Sequence, residues 1–217
     1  MINTKTTEIL RYLGYKNNFA DKKILGQINY IKKEFETCLT PKNIYGTWNC
    51  KVDSDGTIKI NNITIKSKDL ADHIKDCENV LLFVATLGTE ADTLIRRYSI
   101  SDMGKAVIAQ AVCTAMIESY CDEIQCKIAK NEIKKGLYLK SRFSPGYGDF
   151  SITHQKDILN LLECNKRLGI ALTDSFMIIP EKSVTAVIGL TKKQNHHNKK
   201  CESCLDLQCE FRKEQKI

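Results

Sequence analysis

The chain has 217 residues, enough for one large domain or for one domain with an appendage. Its composition, 42% hydrophobic and 27% charged, is that of a globular protein and excludes a low-complexity or fibrous chain. The net charge of +7 is spread along the sequence; it allows nucleic-acid binding, but no basic stripe with interleaved aromatics supports it, and no nucleic-acid partner is expected. No apolar run approaches the ~20 residues that span a bilayer. Residues 1–5 lack the apolar core of a signal peptide. The expectation is a cytoplasmic protein with no membrane contact. In that reducing setting the ten cysteines are expected as thiols or metal ligands rather than disulfides.

In chain order, residues 5–13 and 20–39 are predicted as helices. In the second of these, Ile24, Ile28, Ile31 and Phe35 recur at helical spacing. Pro41 and the polar stretch after it end that helix, and Trp48 is expected to anchor the packing of this first part. Residues 57–60 and 63–65 alternate around Asn61-Asn62, a hairpin signal. Ser67 is a suitable N-cap for a short helix running to about Cys77. The run Val80-Leu81-Leu82-Phe83-Val84-Ala85-Thr86-Leu87 reads as a buried strand, predicted over 79–86. Gly88-Thr89 opens a helix to about Tyr98, and a long helix follows over 101–135. Its cysteines, Cys113, Cys121 and Cys126, are read as small core or half-exposed residues. A strand is predicted over 137–143 and a helix over 153–167. Residues 175–179 and 184–190 are predicted to form a terminal hairpin around Pro180-Glu181-Lys182-Ser183. His73 and His154 are read as satisfied polar residues rather than ligands. The order gives an α+β fold: a twisted, largely antiparallel sheet with a long central helix and flanking helices. No βαβ repeat or Gly-rich dinucleotide fingerprint is present. The domain is expected over 1–190, with 1–78 its helical and hairpin part, and 191–217 a polar linker and Cys-rich tail.

The densest chemistry lies in Arg142-Phe143-Ser144-Pro145-Gly146-Tyr147. Arg is a planar fork of donors suited to a carboxylate or phosphate. Pro145 fixes its own φ, and Gly146 can take φ > 0, so the turn lets backbone approach a ligand closely. The residues describe an anion-holding turn with an aromatic at its edge, or a tight turn after a strand.

That turn, the Leu161-Leu162 helix, Leu172-Thr173-Asp174-Ser175-Phe176, and Pro180 with Ser183-Val184 resemble the activation domain of cobalamin-dependent methionine synthase. A weaker likeness reaches back through Val84-Ala85-Thr86-Leu87-Gly88 and the long helix carrying Glu118, so that it covers roughly 79–190. The resemblance implies a site for S-adenosylmethionine. Arg142 would pair with the methionine carboxylate. Backbone around Ser144 and Gly146 would contact the ligand, Glu118 would help hold it, and Tyr147 would lie at the cobalamin face. It implies an accessory subunit rather than a complete enzyme, with cobalamin supplied by the partner. That partner would be a methionine synthase lacking its own activation domain, and the electron donor a ferredoxin or flavodoxin. Neither an Asp-x-His-x-x-Gly sequence nor room for substrate barrels of about 250 residues each is found here. A monomer is the expectation. Phe143-Ser144 and Gly148-Asp149 depart from the family's usual turn, and residues 1–78 have no placed counterpart.

Cys201-x-x-Cys204-x4-Cys209 is a second constellation. Three thiolates flanked by Lys199, Lys200 and Arg212 can converge on one metal. Two readings stay open: an iron–sulfur cluster, or a zinc site completed by His196 or His197. The rival function is accordingly a metal-binding interaction module for a redox or corrinoid-protein partner.

Overall fold

A strand without a polar face needs cover on both sides, and the centre of this fold is arranged to provide it. The computed structural model describes residues 2–15 and 20–193. Strand β4 (Asn79–Thr86) is buried along seven of its eight residues. Leu81, Phe83 and Ala85 point into one core; Val80, Leu82 and Val84, of the opposite parity, point into another. The first core is roofed by α1 (Thr6–Tyr12), α2 (Lys22–Cys38), α4 (Thr89–Ser101) and α5 (Met103–Ile133). The second is covered by α3 (Lys68–Ile74), α6 (Gln155–Leu161) and α7 (Cys164–Leu168). The sheet is therefore the middle layer of three.

The main sheet has six strands in the order β3-β2-β1-β4-β8-β5, with every neighbouring pair antiparallel. Its further strands are β1 (Lys42–Val52), β2 (Thr57–Ile60), β3 (Ile63–Lys66), β5 (Tyr138–Leu139) and β8 (Ser183–Thr191). The β2–β3 hairpin turns at Asn61, whose φ of 50° is a conformation Asn tolerates. Helix α5 spans 31 residues, about 46 Å at 1.5 Å per residue. It is buried nearly all round between Ile108 and Ile117, where α1, α2 and α4 as well as the sheet pack against it, and narrows to the stripe Cys121, Ile124 and Ile128 beyond. Side chains of the first 78 residues, Ile9, Ile28, Ile31 and Phe35 among them, join the same core as α5.

The architecture matches the α+β expectation, with four local differences. The polar stretch after Pro41 is an eleven-residue strand, β1, paired with β4 from Lys42–Thr86 to Asn49–Asn79. Backbone pairing on both edges stabilises a strand whose side chains give only a weak apolar pattern. The helix predicted over 153–167 is a 3-10 turn (Ile152–His154) followed by α6 and α7, broken at Glu163 with φ 52°. Leu162 and Cys164 are both buried in the second core, and residues two apart cannot share a face of an unbroken helix.

The terminal hairpin is replaced by a different pairing. Strand β7 (Ile178–Ile179) pairs with β6 (Ala171–Leu172) in a separate ribbon, while β8 is inserted between β4 and β5. An apolar strand such as β8 gains more from the sheet centre than from a local partner. The strand predicted over 137–143 is regular only at Tyr138–Leu139. Trp48 packs half-buried against the second core, among side chains of the first part that include Ile44, Ile58 and Ile60.

Candidate functional site

The irregular segment after β5 sets the site. Leu139 opposes Leu190 on β8, whereas Phe143 opposes Val187. Four steps along one strand match three along the other, so one extra residue is accommodated: a bulge. Its consequence is a change of face. Leu139 belongs to the α5-side core, yet Phe143, two pleats on, packs in the opposite core. Arg142 is thereby directed at α5.

There the guanidinium meets three side chains on one helical stripe. Arg142 Nη1 donates to Gln125 Oε1 at 2.8 Å, and Nη2 donates to Glu118 Oε2 at 2.9 Å and to Asp122 Oδ1 at 2.7 Å. Positions 118, 122 and 125 recur at the spacing that places side chains on one helix face. The Arg142 side chain is 12% exposed, against 46% for Glu118 and 67% for Asp122, so the cation is recessed and the carboxylates line its mouth. Burial opposes the guanidinium charge, but the acid groups of Cys121, Glu118 and Asp122 more than offset it, holding Arg142 above its usual range. Cys121 lies buried beneath, its thiol pushed up to about 12 chiefly by burial. Tyr12 of α1 stands close enough that Glu118 adds to the upward shift of its phenol, which burial dominates.

The turn itself is closed by its own backbone. Tyr147 N donates to Ser144 O at 3.2 Å, Gly146 N to Phe150 O at 2.7 Å, and Phe150 N to Tyr147 O at 3.0 Å. Gly146 takes φ 95°, as its sequence position suggested, while Pro145 is buried and the Tyr147 side chain is exposed. Asp149 then fastens the turn to the start of α3. Its carboxylate accepts Ser67 Oγ at 2.5 Å, Lys68 N at 2.7 Å and Asp69 N at 3.2 Å. In return Asp149 N donates to Asp69 Oδ2 at 3.1 Å. The Ser67 hydroxyl and these amides hold the Asp149 carboxyl below its ordinary range. Gly148 is exposed, but the place of a Cβ is taken: one built there would lie 2.0 Å from Asp69 Oδ2.

Of the residues expected from the sequence, Arg142 and Glu118 are brought together directly, and Ser144, Gly146 and Tyr147 form the adjoining turn. Asp122 and Gln125 were missed, although their spacing from Glu118 along a long helix was legible. Asp149 was missed because its partners lie some eighty residues away. Ser67 caps α3 through a bond from Leu70 N at 3.0 Å and also serves Asp149. His73 and His154 are satisfied, as expected: His73 Nε2 contacts Ser141 O at 2.9 Å, and His154 Nδ1 contacts Asp157 Oδ2 at 2.7 Å.

Cys201, Cys204, Cys209, His196 and His197 lie outside the described residues. Among the described residues no group of three or more His, Cys, Asp or Glu is placed to hold a metal ion. None of their helices is long and apolar enough to cross a membrane. A separate open groove of about 700 Å³ lies by α6, α7 and the β6–β7 ribbon, with Leu159, Leu172, Asp174 and Phe176 in its walls.

The three-layer α+β fold is similar to that of a solved structure described as the MetH reactivation domain bound to AdoHcy. The two superpose with a TM-score of 0.68 and 16% identity, over 89% of this chain and 76% of that one. The family model described as vitamin B12 dependent methionine synthase, activation domain, matches residues 57–203. The chain belongs to that family. No curated protein matches it.

Proposed function

We propose that the protein binds S-adenosylmethionine at the Arg142 turn and docks on the cobalamin domain of a methionine synthase to support its reductive remethylation. The observation that carries this reading is the recessed guanidinium of Arg142 beside two carboxylates, in a chain of the activation-domain family. A methionine carboxylate fits a planar two-pronged donor, and a methionine ammonium fits Glu118. Backbone of Ser144 and Gly146 approaches the ligand because the turn has no bulky side chain at Gly146. Exposed Tyr147 faces outward, where the partner's cobalamin would be met. When bound, that cobalamin supplies the methyl acceptor, after one-electron reduction by an external ferredoxin or flavodoxin. Methyl transfer from a sulfonium asks little of acid–base groups; the contribution of Arg142, Glu118 and the turn is to hold the donor in line, which is catalysis by proximity. AdoHcy in the structural relative supports an adenosyl ligand of this kind.

Calorimetric titration of the anaerobically purified protein with S-adenosylmethionine, beside Arg142→Ala, tests the reading. Binding in the wild type that is lost in the variant supports it. Binding that survives in Arg142→Ala places the ligand elsewhere, and absence of binding to the wild type counts against the reading.

The Cys-rich tail adds a separable proposal: Cys201, Cys204 and Cys209 hold a metal, either an iron–sulfur cluster or zinc. Its support is their spacing in the sequence. Elemental analysis of the wild type and a Cys201→Ser/Cys204→Ser variant should show iron or zinc in the first and its loss in the second. Absence of both metals from freshly purified wild type would dismiss it.

A further inference from the structure

We infer that Asp122 selects the positively charged sulfonium ligand over its neutral demethylated product; this rests on reading the Arg142 site as the S-adenosylmethionine site. A site made only to hold a carboxylate would present its guanidinium unopposed. Here one cation is shared by two carboxylates, Glu118 and Asp122, both on Nη2. The immediate balance is one negative charge in excess. Gln125 holds Nη1 without adding charge, so the excess is gathered at Nη2, on the two carboxylates that are more exposed than the cation they share.

An incoming carboxylate competes for Nη2. Asp122 is the more exposed of its two partners, 67% against 46%, and is the one that gives way. It remains on α5 one helical turn from Glu118; with the ligand's ammonium on Glu118, the sulfur, two methylenes further along the ligand, would lie within reach of the field of Asp122. S-adenosylmethionine and S-adenosylhomocysteine share adenosine, carboxylate and ammonium. Contacts to those groups bind both alike and cannot discriminate. What differs is a methyl group and the positive charge on sulfur, and a fixed negative excess acts on that charge. Methyl transfer leaves the C–S bonding pair on sulfur and abolishes the charge, so the same carboxylate that favours the donor gives nothing to the product and eases its departure. The effect belongs to a half-exposed site and weakens with salt.

The test is titration of wild type, Asp122→Asn and Arg142→Ala with each of the two ligands, at low and high salt. Asp122→Asn is a near-isosteric change at an exposed position, and its unfolding temperature reports that the fold is intact. The expected result is a loss of S-adenosylmethionine affinity of roughly threefold or more relative to S-adenosylhomocysteine, with the wild-type preference shrinking at high salt. An equal shift for both ligands, or an unchanged ratio, overturns the role of Asp122 while leaving the site itself standing, provided Arg142→Ala abolishes both. A wild type that binds neither ligand overturns the site and this inference together.

Discussion

At the scale of the residue, Asp149 gathers three donors on one carboxylate and so ties the Arg142 turn to α3, a segment about eighty residues earlier. Its carboxyl is held below the ordinary value of 3.8, the Ser67 hydrogen bond being the largest cause. A depressed carboxyl contributes stability above its unfolded pKa and loses it as pH falls through the folded one. The contribution should therefore be complete above about pH 4 and vanish at lower pH. Chemical denaturation of wild type and Asp149→Asn across pH 2–6 should show the two stability curves converging at the acid end. Parallel curves would mean that the bonds are not formed in solution. Near neutral pH, Asp149→Ala should weaken ligand binding by roughly tenfold, since a loosened turn must be ordered on binding. The same titration that tests Arg142 reads this out.

At the scale of the element, the bulge after β5 decides which face Arg142 occupies. Were the pairing of Leu139 with Leu190 continued without the extra residue, Arg142 would point toward the opposite face of the sheet, away from Glu118, Asp122 and Gln125. The turn beyond it depends on Gly148, at φ 53° and against Asp69. Gly148→Ala brings a methyl group into an occupied space in a left-handed conformation, with a penalty of about 1 kcal/mol from the backbone alone. The expected outcome is a folded protein with a weakened ligand response and a lowered unfolding temperature. Wild-type behaviour in both would mean that the turn and α3 separate easily.

At the scale of the whole molecule, two cores share β4, and damage to it should be felt by both. Phe83 is fully buried on the α5 side, and Phe83→Ala should lower stability by about 3–5 kcal/mol in urea denaturation. Burial also sorts the thiols. It pushes Cys121 and Cys164 up to about 12, and Cys113 well above its usual value. Among the seven described cysteines Cys126 is exposed. Limited alkylation read by mass spectrometry should modify Cys126 first and Cys113, Cys121 and Cys164 only on unfolding. Early labelling of Cys121 would show α5 lifting from the sheet beside Arg142.

The sequence by itself determined what periodicity and backbone chemistry encode: the long helix, the β2–β3 hairpin at Asn61-Asn62, the buried strand β4, the α+β class, and the tight Pro-Gly turn that follows Arg142. These are local patterns, each readable within a short window. The tertiary structure alone decided pairings whose partners are distant in the chain. It made a strand of the polar stretch at β1, took β8 away from its neighbour β7, and broke the 153–167 helix so that Leu162 and Cys164 could enter one core. It also gave Arg142 its neighbours. Glu118 was singled out by family likeness, but Asp122 and Gln125 became part of the site only when a one-residue bulge turned the guanidinium toward their stripe of α5. A local sequence pattern cannot show that, because strand register is settled by cross-strand packing and backbone hydrogen bonds between residues about fifty apart.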